Sequence, residues 1–153
     1  MWFPTLTTAA DAGQKAPAWQ VTTLDGQVIS SASLKGKVVL VHFWATWCPP
    51  CREEMPALES FYKQHAKDGL EIVGISLDEA DDLASVRRFA QPFTFPLGMK
   101  TAAQVDGFGR IWVLPLSFLI DRQGVLREDG WTGERRIDAA SLDRIVLPLL
   151  SGP

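Results

Sequence analysis

Cys48 and Cys51 are the only thiols in the chain, and Pro49 and Pro50 stand between them. Ahead of them runs a near-continuous apolar stretch, Val38 to Ala45. Proline suits the first turn of a helix, where backbone N–H groups have no intrahelical partner. The segment therefore reads as a buried strand, a tight turn and a helix, with Cys48 at the N-cap. A helix N-terminus stabilises an anion through its dipole and free N–H groups. The thiolate is the attacking species in disulfide exchange, and in such settings its pKa falls from about 8.5 to about 3.5–7.5. Cys48 is thus the expected nucleophile. Cys51, one turn on and packed inward, would resolve the mixed disulfide. The two prolines remove N–H donors that could face Cys48, which predicts a moderately lowered pKa rather than an extreme one.

Other uses of two cysteines are weaker. A zinc site usually needs four ligands, and only His42 and His65 could add imidazoles. Neither a metal nor an organic cofactor is expected. As a structural staple, a four-residue loop gains only about 2 kcal/mol on the chain-entropy estimate. A chain of 153 residues does not depend on it. Inert core cysteines are the bland alternative.

The elements around the dithiol follow from periodicity and punctuation. Ala18 to Thr23 and Gln27 to Ser30 flank Asp25-Gly26, a hairpin signal. Met55, Leu58, Phe61, Tyr62 and His65 continue the helix toward Asp68-Gly69. Pro56 lies inside that helix and predicts a kink. Leu70 to Leu77 is the next buried strand, Glu79 to Gln91 an amphipathic helix, and Pro92 its end. Phe93 to Leu97 reads as a short edge strand, Thr101 to Phe108 as a short helix, and Leu116 to Asp121 as a strand. After the Asp121–Gly124 turn, Val125 to Thr132 returns antiparallel, and Ile137 to about Leu147 forms the last helix. This order predicts an α/β fold: a central mixed β-sheet flanked by helices, with an N-terminal β-hairpin and a short central insertion.

Composition narrows the partners. The chain has 15 basic and 18 acidic residues, a net charge of −3, and no clustered basic surface, so no nucleic-acid partner is expected. Its longest mostly apolar run, Ile111 to Ile120, is interrupted by Pro115 and Ser117. That is short of the about 20 residues a spanning helix needs. Residues 1–15 are expected to be an extension and residues 16–150 one domain. No secretory signal is visible, and Trp2-Phe3-Pro4 is read as an untidy leader or the stub of a removed export or anchor segment.

The stretch from Phe43 to Pro56, with its Trp47-Cys48-Pro49-Pro50-Cys51 core and Glu54-Met55-Pro56, resembles the active-site segment of the thioredoxin superfamily. It is most similar to the TlpA/ResA-like branch of extracytoplasmic thiol-disulfide oxidoreductases. Leu114 to Asp121 is similar to the family's cis-proline segment, and the resemblance covers about Ala16 to Leu150. It implies a thioredoxin-like fold, with Pro115 as the cis-proline that bars metal and offers backbone groups to a substrate strand. It implies Glu54 as the carboxylate that tunes the thiols, and Trp47, Pro49 and Leu114 as substrate contacts. His42 departs from the pattern. Thioredoxins hold a buried Asp there and TlpA-like chains often Asn, so His42 is either a proton relay or a neutral core histidine. Val113 and Leu116 also depart, and Leu116 weakens an assignment to cytochrome c maturation, whose branch typically has Glu after the proline. Trp44 and Trp47 are expected under and over the active-site turn, and Trp112 and Trp131 as packing residues.

The function expected is thiol-disulfide exchange with protein thiols and disulfides by a monomer. The working direction is most simply reduction in the bacterial cell envelope, with a redox partner such as a membrane thiol reductase or oxidase. Localisation is expected to be periplasmic or otherwise extracytoplasmic, with a membrane anchor in a longer precursor. The alternatives are a disulfide-donating oxidase and a non-enzymatic redox-sensitive interaction module. A peroxiredoxin is disfavoured, because Val41 and Ala45 stand where the Pro and Thr before a peroxidatic cysteine would be.

Overall fold

A computed structural model describes residues 11–133 and 136–152. Asp25-Gly26 turns the predicted hairpin between strands β1 (Gln20–Thr23) and β2 (Val28–Ser30), which pair antiparallel. Gly26 takes φ 86°, which a side chain would resist. The unbroken apolar run gives strand β3 (Val38–Trp44), buried at every residue. Helix α1 (Pro49–His65) starts at the two prolines and runs on through Pro56, which offers no N–H to the Arg52 carbonyl. A short 3-10 turn and Gly69 lead into β4 (Leu70–Ser76), parallel to β3. The second predicted helix forms in two pieces, a 3-10 turn at Ala80–Asp82 and helix α2 (Leu83–Ala90).

The following segment differs from expectation. Phe93 to Pro96 form no strand, because the Glu59 carboxylate takes the Thr94 N–H at 2.9 and 2.8 Å. Strand β5 is Leu97–Gln104, so Thr101–Gln104 are strand where a helix was expected, and only Asp106–Phe108 make a 3-10 turn. The reason is pairing: Gln104 and Ala103 stand opposite Gln20 and Val21 of β1, while Leu97 to Met99 pair with β4. Sheet hydrogen bonds override the helix propensity of Ala102 and Ala103, a local preference that tertiary pairing outweighs. Strand β6 (Leu116–Ile120) lies antiparallel to β3, and β7 (Leu126–Glu128) antiparallel to β6. β7 stops at Glu128, short of Thr132, because the Asp129 carboxylate accepts the Trp131 N–H in a turn. Helix α3 (Ala139–Leu150) is capped reciprocally by Asp138 and Ser141.

The sheet order is β2-β1-β5-β4-β3-β6-β7, mixed as predicted. Alternation along β3 divides the core. Leu40 and Trp44 pack with Met55, Leu58, Val86 and Leu142 from the three helices. Val39, Val41 and Phe43 face Phe108 and Phe118 on the other side, with Phe43 edge-on to both rings. Ahead of β1, the chain pairs with the turn joining β6 and β7 and with the first residue of β7: Gly13 N–H donates to the Leu126 carbonyl at 2.7 Å and Ala16 N–H to the Gly124 carbonyl at 2.9 Å. Trp2-Phe3-Pro4 lies outside the described residues. Among those described, no helix is long and apolar enough to cross a membrane.

Candidate active site

β3 delivers the chain to the dithiol, and α1 carries it away. Cys48 is the N-cap of α1, in extended conformation at φ −106° and ψ 100°. Its sulfur accepts the Cys51 N–H at 3.4 Å, the donor left to it after the two prolines. Cys48 and Cys51 form a disulfide with Cα atoms 5.3 Å apart. Cys51 is wholly buried, whereas Cys48 keeps 6% of its surface open. That asymmetry suits Cys48 to meet a foreign sulfur and Cys51 to wait beneath it.

The turn before Cys48 is held by a residue that sequence reasoning missed. The buried Asp78 carboxylate accepts from Thr46 N–H at 2.9 Å, Thr46 Oγ1 at 2.5 Å and Ser76 Oγ at 2.5 Å. No short-range signal links Thr46 to Asp78. The parallel register of β3 and β4, with Trp44 opposite Ser76, brings them together.

Below the dithiol, on the helix side of β3, His42 is buried. Its Nδ1 lies 2.8 Å from Ser117 Oγ, its register partner on β6. Its Nε2 lies 4.0 Å from Glu54 Oε2. Glu54 Oε1 accepts the Ile137 N–H at 3.3 Å, from the segment entering α3. Burial pushes His42 down to about 4 and raises Glu54 to about 7. The raised value is opposed by the Ile137 hydrogen bond and by Arg136, and reinforced by Asp138. Near neutral pH the pair therefore holds a neutral imidazole and a carboxyl group close to its midpoint, not an ion pair.

The Leu114–Pro115 bond is cis. Leu116 pairs with Phe43, so Pro115 stands beside the end of β3 that leads to Cys48. Leu114 is half-buried, and Pro49 and Trp47 are exposed, Trp47 by 65%. Trp44 is buried against the Phe89 ring, as expected for a residue under the turn. Trp112 corrects its expectation: it is 73% exposed and stacks on Trp131 at 5.8 Å. Trp131 spends its Nε1–H on the Phe108 carbonyl, so it props Trp112 from behind. His65 is outside this group, paired with Asp68 at the far end of α1. Among the described residues, no cluster of three or more His, Cys, Asp or Glu could hold a metal ion.

Residues 12–129 match the AhpC/TSA family. The chain is 37% identical over 118 residues to Thiol-disulfide oxidoreductase ResA of Bacillus thuringiensis (strain Al Hakam), covering 76% of this chain and 67% of that one. It is 32% identical over 134 residues to Sporulation thiol-disulfide oxidoreductase A of Bacillus subtilis (strain 168), covering 83% and 79%. The crystal structure of a thiol:disulfide interchange protein of the thioredoxin family from Chlorobium tepidum TLS superposes with a TM-score of 0.75 at 36% identity, covering 93% of this chain and 100% of that one. With a dithiol capping the helix that follows a central strand of a thioredoxin-like sheet, the chain belongs to the AhpC/TSA family and is one of its thiol-disulfide oxidoreductases.

Proposed function

We propose that the protein reduces disulfides of other proteins in the bacterial cell envelope. The Cys48 thiolate attacks a substrate disulfide, forming a mixed disulfide and releasing one substrate thiolate. Cys51 then attacks Cys48, closing the intramolecular disulfide and releasing the second substrate thiol. A membrane thiol reductase is the class of partner that would restore the dithiol. The observation that carries this reading is the unequal burial of the two sulfurs at the helix cap. Pro115 and Leu114 would offer backbone groups to an extended substrate strand. Trp47, Pro49 and Trp112 would supply an apolar rim. The extracytoplasmic location rests on the TlpA/ResA-like resemblance. Fractionation of cells making the native protein tests it, and recovery in the cytosolic fraction would overturn it.

The direction of electron flow is tested by equilibrating the Cys48–Cys51 pair with glutathione or dithiothreitol and reading Trp44 and Trp47 fluorescence. A potential near about −270 mV supports a reductant, and one near about −120 mV replaces it with a donor of disulfides.

A further inference from the structure

His42 Nε2 and Glu54 Oε2 are both buried, both without a hydrogen-bond partner, and 4.0 Å apart. Unpaired buried polar atoms are costly, and two that face each other are best explained by a proton between them. The remaining atoms of both groups are tied down. Ser117 Oγ holds His42 Nδ1, and the Ile137 N–H holds Glu54 Oε1. A small rotation of the Glu54 carboxyl would bring Oε2 within hydrogen-bond reach of Nε2. Glu54 also stands three residues after Cys51, on the same face of α1.

We propose that His42 and Glu54 form a proton-holding pair for the resolving thiol, in which His42 receives the Glu54 O–H at Nε2 while its Nδ1–H donates to Ser117. This rests on Cys51 being the resolving thiol. In that step Cys51 gives its proton to the Glu54 carboxylate, and its thiolate displaces the substrate sulfur from Cys48. The Cys48–Cys51 bond forms, the bond to substrate breaks, and the departing thiolate takes the proton back from Glu54. Glu54 is the group that takes the reacting sulfur's proton. His42 is a positioning residue that stabilises the acid Glu54 has just become, and so strengthens it as a base. The other charged groups around Glu54 are Arg136 and Asp138 at the entry to α3, themselves 3.9 Å apart, and the exposed Arg52 and Glu53 on its own helix. Burial lowers His42 to about 4, which keeps the imidazole uncharged wherever Glu54 titrates.

Nitrogen NMR of the His42 ring in the reduced full chain tests the pair directly. Below Glu54's midpoint, Nδ1 is expected to carry the proton and Nε2 to accept, with ring signals shifting near pH 7 as Glu54 ionises. Glu54→Gln, whose amide still donates to Nε2, should keep that tautomer and lose the shift. A proton on Nε2 below the midpoint, a flat wild-type profile, or a shift that survives Glu54→Gln would overturn the proposal. A second readout is the rate at which Cys51 closes a mixed disulfide preformed on Cys48. The wild-type rate should fall about tenfold per pH unit below the midpoint. Glu54→Gln should close about a hundredfold more slowly or worse, without that inflection. His42→Asn, the residue TlpA-like chains often carry there, should fold and move the inflection down by about half a pH unit or more, because the acid form loses its acceptor. An unmoved inflection overturns the pair. If wild type turns over with added reductant but shows none of these responses, the pair fails and the exchange reading stands. If it does not turn over, both fail.

Discussion

A thiol that must meet a foreign disulfide needs an open edge, and Cys48 has one where Cys51 has none. Reduced Cys51→Ser is therefore expected to stall with substrate bound to Cys48, seen as a mixed disulfide by mass spectrometry under non-reducing conditions. Cys48→Ser should form far less of it. The groups beneath also couple folding to pH, with opposite signs. Glu54, raised from 4.5 to about 7, adds stability that is fully present below 4.5 and lost as pH rises through about 7. His42, lowered from 6.5 to about 4, adds stability that is present above 6.5 and lost as pH falls through about 4. Over pH 4.5–6.5 the two oppose each other. Urea unfolding across that window should show Glu54→Gln gaining stability on wild type as pH rises, and His42→Asn losing it. The pairing of Cys48 with Cys51 at the start of a helix was legible in local spacing, whereas attention to Glu54 and to a cis bond at Pro115 came from the family resemblance. His42 could be singled out but not assigned, since its meaning depends on Ser117, 75 residues away and brought opposite only by strand register.

Among elements, the tie between β4 and the turn after β3 matters most to the dithiol. Asp78→Ala would leave the Thr46 N–H and the Ser76 hydroxyl without their acceptor. The expected loss is about 1–3 kcal/mol of stability, measured by urea unfolding, with slower exchange because the Ala45–Cys48 turn is no longer held. Strands β3, β4 and β6 and helix α1 were readable because their burial is continuous or their periodicity strong. β5 was not. Its Lys100–Gln104 half is largely exposed and polar, with two alanines and no period-two pattern, and only β1 alongside makes it a strand. Pairing partners distant in sequence leave no mark on local composition.

At the scale of the molecule, the two most exposed tryptophans among the described residues, Trp47 and Trp112, both belong to segments that flank the dithiol, one before Cys48 and the other before Pro115. Trp112→Ala should raise KM for a disulfide-bearing polypeptide about threefold to tenfold, the worth of one aromatic contact, with a smaller change for oxidised glutathione. Equal changes for both would remove Trp112 from the substrate rim. The fold class was legible from the alternation of strand and helix signals, whereas the exposure of Trp112 was not, because an aromatic among apolar neighbours reads as core. The way the chain enters the fold sets the molecule's bearing in space. Gly13 to Ala16 are fastened to the β6–β7 turn, and since Ile120 pairs with Val39 while Leu116 pairs with Phe43, that fastening lies at the pole opposite the dithiol. A pull on the chain ahead of Asp11 thus loads a mooring at the foot of the sheet, roughly 20 Å from the sulfurs by the length of β3. Such a load would fall on the Gly13–Leu126 and Ala16–Gly124 hydrogen bonds rather than on the end of the sheet that carries Cys48.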